Sequence, residues 1–558
     1  MSSPWVDGIS QGEALSRIAT EHGDRDAVVF PRLELRWSYA ELEERVKQVA
    51  RALMALGVMP GDHVGIWATN WPEWILAQFA VPSIGAVLVN VNPAYRVNEL
   101  DYILRQADIK ALLLTDRFKQ SDYAAMMAEL DPSLDTTAFG EKRLRESFPR
   151  LEHVVSIKNA PSRKGIWPWE EFLARHKSIA PAALKERTAA VRADDPTSIQ
   201  YTSGTTGHPK GATLSHRNIL LNAYYAGDRL HFTQYDRLCI PVPLYHCFGC
   251  VLGTLLCMLR AAAMVIPAES FDPAATLEAV EKERCTALHG VPTMFNAEIH
   301  LPDFGKYELS TLRTGVMAGS LCPTELMRQV IDLMHLEEMT IAYGLTEASP
   351  LITQTETTEP LEIRVTTIGK PIPGVDVRIV DPLTLQDVDI GQPGELWARG
   401  HGIMLGYYNK PEATREAIVD GRWLRTGDLA IQTQTGHYCI TGRIKDMIIR
   451  GGENIYPREI EEFLLKHPKI YDVQIVGLPD AHYGEQVSAW IVSKDSTLTA
   501  DDVRAFCNGE IAHYKIPHYI EFVKEFPMTV SGKIQKFVLR EEGIKRFGPG
   551  KPGDANNA

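Results

Sequence analysis

The sequence has few cysteines, no long uninterrupted apolar run and no excess of positive charge. Eight cysteines are scattered over 558 residues, which excludes a disulfide-stabilised secreted scaffold and favours a reducing compartment, the cytoplasm. The first residues lack a charged start followed by an apolar core, and they carry too many acids for an organelle transit segment. The net charge of −13 argues against a nucleic-acid partner, because an acidic surface repels phosphate polymers.

Two apolar stretches have the length of membrane spans but not their composition. Residues 74–93 contain Gln78, and residues 239–267 contain His246 and Arg260. A span needs about 20 consecutive apolar residues, so both stretches are predicted to be buried core segments and no transmembrane segment is expected. The hydrophobic content of 45% is that of a globular protein, and the chain is long enough for several domains.

The amino-terminal part of the chain alternates helical and extended patterns. Residues 38–57 have the apolar spacing of an amphipathic helix, with Ser38 as N-cap and Glu41 at the capping-box position. Short apolar runs that follow are predicted to be strands: 64–67, 86–91, 111–114, 263–267, 285–289 and 312–317. Helices and strands in alternation predict a large layered α/β body.

Beyond residue 360 the pattern changes twice. Residues 361–442 hold short alternating segments between glycines and prolines, which predicts a β-rich subdomain. A compact α/β pattern then returns, with a helix over 457–466 opened by Pro457, strands at 473–476 and 487–492, and a helix from Ala500. This last pattern predicts a smaller α/β domain.

These patterns divide the chain near residue 443. We expect an N-terminal domain over 1–443, which includes the β-rich subdomain, and a small mobile C-terminal domain over 444–558. The tail 549–558 is too polar and too rich in glycine and proline to fold by itself.

Glycines and hydroxyl-bearing residues follow a strand-like segment at 197–200. Residues 201–211 read Tyr-Thr-Ser-Gly-Thr-Thr-Gly-His-Pro-Lys-Gly. Glycines let several backbone N–H groups point at one anion, the hydroxyls add donors, and Lys210 adds a mobile cation. The run lacks the G-x-x-x-x-G-K-[ST] order of P-loop enzymes, because Lys210 follows a proline. It therefore predicts a phosphate-binding loop of another kind.

This loop resembles the phosphate loop of the adenylate-forming superfamily, which includes acyl-CoA synthetases, firefly-type luciferases and the adenylation domains of peptide synthetases. Later segments resemble the family's other signatures, in the family's order: 343–347 (YGLTE), 426–428 (TGD), 442–446 (GRIKD) with 451–457 (GGENIYP), and 531–533 (SGK). The chain looks closest to the medium-chain fatty acyl-CoA synthetases. The resemblance implies the adenylate-forming fold and the activation of a carboxylic acid by ATP.

The resemblance also implies a set of nucleotide-binding residues. They are Thr202, Ser203, Gly204, Thr205, Thr206, Gly207, Lys210, Gly319, Ser320, Tyr343, Gly344, Thr346, Asp428 and Arg443. Glu347 resembles the family's Mg²⁺ carboxylate, with Thr205 as a second metal ligand, and Thr346 resembles its α-phosphate donor. Tyr343 would stack on adenine, and Asp428 would accept hydrogen bonds from the ribose.

Catalysis in this family is divided between two half-reactions. Negative charge gathers around the phosphate during adenylation, so positioned cations, donors and a metal carry that step. The implied catalytic set is Lys210, His246, Thr346, Glu347 and Lys533, of which Lys533 would bridge the carboxylate and the α-phosphate. In the family the small domain rotates between the half-reactions. Lys445 takes the hinge position, and Gly451, Gly452 and Glu453 would line the channel for the CoA thiol.

The segment 241–250, PVPLYHCFGC, has two interpretations. Cys247 and Cys250 have the spacing of a zinc or redox pair, but no second pair follows, so neither role is favoured. In the family an aromatic residue and a histidine, here Tyr245 and His246, border and gate the acyl site. The implied acyl pocket comprises Tyr245, His246, Phe248, Gly249, Val291, Met317, Ala318 and Gly319. Its walls carry no lysine or arginine, so an aliphatic fatty acid without a second charge is expected.

The expected reaction is therefore the ATP-dependent ligation of a medium- to long-chain fatty acid to CoA, with Mg²⁺ as cofactor and small molecules as partners. Three alternatives stay open: an aryl- or cinnamate-type CoA ligase, an adenylation enzyme that loads a separate carrier protein, and a nucleotide-binding regulatory protein without turnover. Loss of Glu347 or Lys533 would favour the last alternative, and both residues are present.

Overall fold

The computed structural model describes residues 3–141, 148–158, 163–202, 209–320, 322–451, 453–528 and 534–548. The chain packs as two compact units: Met1–Asp376 with Ala398–Leu424, and Val377–Trp397 with Arg425–Ala558. The tail 549–558 lies outside the described residues. These units divide at other positions than residue 443. The expected boundary of a movable domain at residue 443 stays a prediction.

The larger sheet of the first unit has nine strands among the described residues. In order across the sheet they are Lys370–Pro371, Leu351–Gln354, Glu338–Gly344, Thr314–Met317, Ala287–Gly290, Arg237–Cys239, Ala263–Val265, Asp26–Phe30 and Leu35–Ser38. Neighbours from Glu338–Gly344 to Asp26–Phe30 pair in parallel, and antiparallel strands close both edges. Parallel neighbours bring their carboxyl ends to one edge of the sheet, where ligand sites form.

A second sheet of the first unit has eight strands in the described parts of the chain. They run in the order Gly406–Tyr407, Lys210–Ser215, Pro196–Thr202, Val87–Asn90, His63–Trp67, Ile109–Leu114, His153–Ser156 and Ile166–Trp167. Pairing is parallel from Pro196–Thr202 to Ile166–Trp167 and antiparallel for the two strands at the other edge. Arg117–Phe118 and Ser121–Asp122 form a separate short hairpin.

Helices connect these strands. Those of the first unit include Gln11–His22, Tyr39–Ala55, Pro72–Ser83, Val97–Gln106, Tyr123–Leu130, Ser133–Thr136, Trp169–Ala174, Pro181–Ala189, His216–Arg229, Leu256–Arg260, Pro273–Glu283, Pro292–Ile299, Thr324–Met334, Leu361–Thr366 and Pro411–Ala417. The helix expected at 38–57 is found as Tyr39–Ala55, and its capping box is confirmed. Ser38 Oγ accepts from the Glu41 N–H at 3.3 Å, and the Glu41 carboxylate accepts from the Ser38 N–H at 2.8 Å.

The two apolar stretches lie in the interior, as expected. The first forms most of the buried helix Pro72–Ser83 and the buried strand Val87–Asn90. The second includes the π-helical turn Cys250–Leu255, the helix Leu256–Arg260 and the strand Ala263–Val265. Within the described residues, no helix is long and apolar enough to cross a membrane.

The region expected to be β-rich contains a five-stranded sheet within the described residues. Its strands are Val375–Val380, Gly394–Gly400, Trp423–Gln432, Ile418–Val419 and Tyr438–Arg443. The division between the units falls within three of these strands.

The second unit also contains a small α/β layer. Its strands are Glu453–Ile455, Ile448–Arg450, Gly484–Ser493, Ile470–Asp480 and Tyr519–Phe522, and its helices are Pro457–Leu464, Ala500–Cys507 and Lys536–Phe547. Ile460 and Leu464 of the first helix pack with Val473, Val487 and Ile491 of the strands in one buried core. The expected fold class, a layered α/β body with a β-rich part and a small α/β part, is confirmed.

Candidate functional site

The two strands that flank the expected phosphate loop form an antiparallel hairpin. Pro196–Thr202 pairs with Lys210–Ser215, and Thr202 lies opposite Lys210 at the end of the ladder. The loop residues whose roles the resemblance implies, Ser203, Gly204, Thr205, Thr206 and Gly207, lie outside the described residues. The hairpin holds Thr202 and Lys210 side by side at the two ends of the loop.

Glu347 lies in a short turn that follows the strand Glu338–Gly344. Its side chain is buried, as is that of Thr346. The Tyr407 hydroxyl donates to Glu347 Oε1 at 2.7 Å, and the Thr202 hydroxyl donates to the same oxygen at 3.4 Å. The phosphate-loop signature and the Tyr-Gly-Leu-Thr-Glu signature therefore meet at one carboxylate.

The helix His216–Arg229 supports the turn that carries Glu347. Asn222 Nδ2 donates to the carbonyl oxygens of Ala348 at 3.2 Å and Leu351 at 2.9 Å, and Asn222 Oδ1 accepts from the Leu351 N–H at 3.0 Å. Asn222 is fully buried. A buried amide that satisfies three backbone groups fixes the path of this turn.

Residues implied for the acyl and nucleotide sites gather where three adjacent parallel strands end. Ala287–Gly290 pairs with Thr314–Met317, which in turn pairs with Glu338–Gly344. At or just beyond these carboxyl ends lie Val291, Met317, Ala318, Gly319, Ser320, Tyr343 and Gly344. They share one edge of the sheet, the place where α/β sheets bind ligands.

Two of these positions require glycine. Gly319 has φ +88°, a conformation that disfavours other residues, and a Cβ there would lie 3.0 Å from Val291 Cγ1. At Gly344 a Cβ would lie 1.8 Å from the Pro350 carbonyl oxygen. The turn at Gly344 therefore has no room for a side chain, and another residue at position 319 would strain the backbone.

His246 caps the short helix that begins at the next residue. Its Nδ1 accepts from the Phe248 N–H at 3.2 Å. Asn90 Nδ2 donates to the Tyr245 carbonyl at 2.9 Å, and a Cβ at Gly249 would lie only 2.3 Å from a backbone carbonyl oxygen. These contacts fix the segment, whereas the gating role of Tyr245 and His246 stays a prediction.

The expected acyl wall is held together by His289. Its Nδ1 accepts from the Val316 N–H at 3.2 Å and its Nε2–H donates to the Leu252 carbonyl at 3.1 Å. The ring stacks against Phe248 with centroids 5.6 Å apart. Burial lowers the pKa of His289 to about 4. The imidazole is therefore neutral, with its proton on Nε2, and links two strands to the π-helical turn.

Cys247 and Cys250 contact different groups. Cys247 Sγ lies 3.6 Å from Thr346 Oγ1, whereas Cys250 Sγ accepts from Gln200 Nε2 at 3.6 Å. Burial raises the pKa of the Cys250 thiol. Cys247 thus joins the segment expected to border the acyl site to the turn that carries the expected α-phosphate donor.

Tyr407 belongs to this site although its sequence context did not reveal it. Besides its bond to Glu347, its ring lies beneath the Lys210 ammonium, with Nζ 5.3 Å from the ring centroid. Burial and the negative charge of Glu347 raise the pKa of Tyr407, so the phenol remains a donor. The strand that carries it, Gly406–Tyr407, is too short for a periodicity to show.

In the second unit, Asp428 and Arg443 face each other on neighbouring strands. They are register partners, and Arg443 Nε donates to Asp428 Oδ1 at 2.9 Å. Asp428 is nearly buried and the Arg443 side chain is half-exposed. The pair brings together an acceptor and a cation from two separate signatures.

A buried carboxylate, Glu395, holds the Thr-Gly-Asp turn in the second unit. Its Oε1 accepts from the Gly427 N–H at 3.1 Å, and its Oε2 accepts from Arg425 Nε at 3.1 Å and from Trp397 Nε1 at 2.8 Å. Glu395 was not identified from the sequence, because Arg425 and Gly427 lie on a separate strand that only the fold brings beside it.

The expected hinge and thiol-channel residues follow closely. Lys445 lies in the turn Ile444–Asp446, and burial, reinforced by nearby Arg443, lowers the pKa of its ammonium group. The Gly451 N–H donates to the Tyr483 carbonyl at 2.8 Å, and exposed Glu453 starts the next strand. Gly452 lies outside the described residues.

Lys533 also lies outside the described residues, but the helix that follows it is firmly attached. Lys536 begins this helix, and its Nζ donates to Glu461 Oε1 at 2.6 Å and to the Ile475 carbonyl at 3.3 Å. Glu461 is buried. The chain is therefore anchored three residues after Lys533.

Two family models match the sequence. The model of the AMP-binding enzyme matches residues 15–408, and the model of the AMP-binding enzyme C-terminal domain matches residues 459–533. The chain belongs to the AMP-binding enzyme family. The resemblance to the adenylate-forming enzymes is thereby confirmed.

Relatives of this AMP-binding enzyme match over nearly the full chain. YngI of Bacillus subtilis, provisionally named an acyl-CoA synthetase, is 49% identical and the match covers 96% of this chain and 97% of YngI. Mitochondrial medium-chain acyl-CoA ligase ACSF2 of Danio rerio is 41% identical, with 98% and 90% covered. A crystal structure of the anthranilate CoA ligase AuaEII with anthranoyl-AMP matches with a TM-score of 0.83 at 25% identity, covering 96% and 97%.

The family models contain only part of the expected site of this AMP-binding enzyme. Thr202, Lys210 and Glu347 lie within the first matched region, and Lys533 is the last residue of the second. Asp428, Arg443, Lys445 and Gly451 to Glu453 lie between the two regions.

Proposed function

We propose that the protein is an ATP-dependent acid:CoA ligase that activates a medium- to long-chain fatty acid. In the first half-reaction a carboxylate oxygen of the acid attacks the α-phosphorus of ATP, and pyrophosphate leaves. In the second, the CoA thiol attacks the acyl carbon, and AMP leaves. The observation that carries the proposal is the meeting of Thr202, Lys210 and Glu347 beside the strand ends that bear the expected nucleotide and acyl residues.

Residues at this site suit the charge that builds up during adenylation. We assign Lys210 and the hydroxyls of Thr202 and Thr346 to the phosphates, Tyr343 to the adenine, and Asp428 with Arg443 to the ribose side of the nucleotide. Positioned donors and cations stabilise phosphoryl transfer without a covalent contribution from the protein.

Glu347 is suited to hold Mg²⁺. Its carboxylate is buried, and hydroxyl groups contact it on Oε1. Mg²⁺ prefers hard carboxylate and phosphate oxygens. When bound, the ion would neutralise phosphate charge. We assign Thr205 as the second protein ligand, on the resemblance alone.

The expected acyl wall favours an aliphatic chain. Phe248, Val291, Met317 and Ala318 are buried and apolar, and the segments that carry them contain neither lysine nor arginine. A second charge on the substrate would remain unpaired there, at a large cost. The name of the ACSF2 relatives, medium-chain acyl-CoA ligase, supports a medium-chain acid.

The second unit contains the residues to which we assign a role in only one of the two half-reactions. We propose that Lys533 orients the acid carboxylate and the α-phosphate during adenylation, and that Gly451, Gly452 and Glu453 line the thiol route during thioester formation. Lys445 is the proposed hinge of a domain rotation between the two. A cytoplasmic location is part of the proposal and rests on the cysteine usage of the sequence.

An aryl acid is the second candidate substrate, because AuaEII is an anthranilate CoA ligase. A panel of straight-chain acids from butyrate to palmitate, with benzoate, anthranilate and cinnamate, separates the candidates when pyrophosphate release is measured with ATP and Mg²⁺. We expect release to peak with a medium- or long-chain aliphatic acid and acyl-CoA to form once CoA is added. A preference for aromatic acids would favour the second candidate, and release from no acid would contradict both. Release without any thioester would favour a carrier-protein acceptor.

A further inference from the structure

Tyr407 touches both charged side chains that the proposed function assigns to Mg²⁺ and phosphate. Its hydroxyl donates to Glu347 Oε1 at 2.7 Å, and its ring lies beneath Lys210 Nζ at 5.3 Å from the centroid. Glu347 and Lys210 carry opposite charges on different elements. Tyr407 is the side chain through which the carboxylate and the ammonium are both held.

We propose that Tyr407 is a positioning residue that keeps the Glu347 carboxylate oriented for Mg²⁺ and keeps Lys210 available for phosphate. This inference rests on the proposed function. The phenol fixes one carboxylate oxygen, and the aromatic face holds the ammonium nearby without forming an ion pair. Both charges are thereby in place before the nucleotide arrives.

Hydrogen bonds to Oε1 also determine the position of the other carboxylate oxygen. Tyr407 donates to Oε1 at 2.7 Å, and the Thr202 hydroxyl lies beside it, with its oxygen 3.4 Å from both Oε1 and the Lys210 carbonyl oxygen and a single hydrogen to donate. The short bond from Tyr407 fixes Oε1, so Oε2 takes a defined place. A ligand oxygen held in advance binds a metal more tightly, because less freedom is lost on binding.

Contact with the aromatic face prevents a competing interaction. An ion pair between Lys210 and Glu347 would neutralise both groups and leave neither for its ligand. Among the described residues, the Lys210 Nζ lies over the Tyr407 ring, 5.3 Å from its centroid. A cation over an aromatic face is attracted without a formal counter-charge, so it remains free to move to a phosphate.

The backbone of Tyr407 is itself fixed. It is the register partner of Ala212, in the strand that begins with Lys210, and its N–H donates to Thr414 Oγ1 at 2.9 Å. Thr414 Oγ1 in turn donates to the Lys410 carbonyl at 2.9 Å. The phenol therefore approaches Glu347 from a rigid support, as a positioning group requires.

Two substitutions separate the contributions of the hydroxyl and the ring. Tyr407→Phe removes the bond to Glu347 and keeps the ring beneath Lys210, whereas Tyr407→Leu removes both. Tyr408→Phe is the matched control, because the Tyr408 hydroxyl donates to Asp108 Oδ2 at 2.9 Å and not to the site. Thermal midpoints show whether each variant is folded.

The test measures ATP binding by calorimetry over a series of Mg²⁺ concentrations, without acid or CoA, so that no turnover is needed. For Tyr407→Phe we expect the Mg²⁺ concentration at half-maximal ATP affinity to rise about tenfold, the usual effect of losing a hydrogen bond to a charged group. The affinity of this variant for ATP at saturating Mg²⁺ should equal that of the wild type. For Tyr407→Leu, ATP affinity at saturating Mg²⁺ should also fall about threefold. Tyr408→Phe should match the wild type.

An unchanged Mg²⁺ dependence in Tyr407→Phe would overturn the inference, as would an equal loss of affinity at every Mg²⁺ concentration. If Tyr407→Leu does not fold, a double-mutant cycle between Tyr407→Phe and Glu347→Gln replaces it. In the Glu347→Gln background, Tyr407→Phe should not change the Mg²⁺ dependence of ATP affinity any further. If the wild-type protein binds no ATP with Mg²⁺, the proposed function fails, which is distinct from failure of the Tyr407 inference.

Discussion

Asn222 and Leu351 form a reciprocal pair: Asn222 Nδ2 donates to the Leu351 carbonyl at 2.9 Å, and the Leu351 N–H donates to Asn222 Oδ1 at 3.0 Å. With a further bond to the Ala348 carbonyl, one buried amide satisfies the backbone on both sides of the turn that carries Glu347. A buried, uncharged side chain thus fixes the path of the turn that carries the Glu347 carboxylate.

Asn222→Ala should leave three buried backbone groups without partners. We expect it to lower the free energy of unfolding by about 2–3 kcal/mol and to slow pyrophosphate release, because the Glu347 turn loses its support. Urea unfolding and initial rates measure the two effects. Asn98→Ala, on the exposed face of another helix, is the control. Equal stability of the two variants would contradict the prediction.

Glu395→Ala should leave the Arg425 guanidinium without its carboxylate partner. It should also remove the hydrogen bond that holds the Thr-Gly-Asp turn at the Gly427 N–H. Glu395 is buried but Arg425 is one-third exposed, so the loss costs less than the removal of a partner from a fully buried ion pair, and we expect a lower unfolding temperature for the second unit. The KM for ATP should also rise, because Asp428 belongs to this turn. Calorimetric unfolding and steady-state kinetics check both. The exposed Glu510→Ala should change neither. An unaltered KM would show that the turn does not depend on Glu395.

Stability should fall as the pH drops below 6.5, partly because of two buried histidines. Burial lowers the pKa of His216 and of His289 to about 4. Between that value and the ordinary value of about 6.5, the unfolded chain binds protons that the folded chain does not. Each histidine should therefore cost about 2 kcal/mol between pH 7 and pH 5, whereas its contribution is constant above pH 6.5.

His216→Asn isolates this effect, because the asparagine oxygen can still accept from the Gln11 N–H that now donates to His216 Nδ1 at 3.0 Å. Urea unfolding at pH 7 and pH 5 gives the comparison. We expect the variant to lose less stability than the wild type over this interval. Identical losses would mean that His216 is not the titrating group.

Lys533→Ala should abolish the formation of acyl-adenylate and spare the formation of thioester from preformed acyl-adenylate. The lysine is proposed to act only on the carboxylate and the α-phosphate, which belong to the first half-reaction. Single-turnover assays of each half-reaction give the answer. Lys524→Ala, an exposed lysine nearby in sequence, should behave as the wild type. Equal loss of both half-reactions would refute the assignment.

Local signals predicted much of the fold from the sequence. The capping box at Ser38 and Glu41 involves residues three positions apart, so it could be recognised before the structure was known. The strand expected at 473–476 is the centre of the longer strand Ile470–Asp480, whose ends hold Asp472, Gly477 and Pro479, residues that are uncommon in strands. The π-helical winding of Cys250–Leu255 has no periodicity that distinguishes it from an apolar α-helix.

Supporting residues of the site could not be predicted in this way. Tyr407, Asn222 and Glu395 contact partners that are about 30 to 130 positions distant along the chain. A single tyrosine, asparagine or glutamate is ordinary on a surface, so its role appears only when the strands are assembled. The expected residues Ser203 to Gly207, Gly452 and Lys533 lie outside the described residues, and their roles stay predictions.

The most direct test of the proposed chemistry is ATP–pyrophosphate exchange by the wild-type protein, with and without decanoate, and by Glu347→Gln. Because exchange reports adenylation alone, it should require the acid, proceed without CoA and fall at least a hundredfold in the variant. Exchange that needs no acid, or that survives in Glu347→Gln, would contradict the adenylation of a fatty acid at this site.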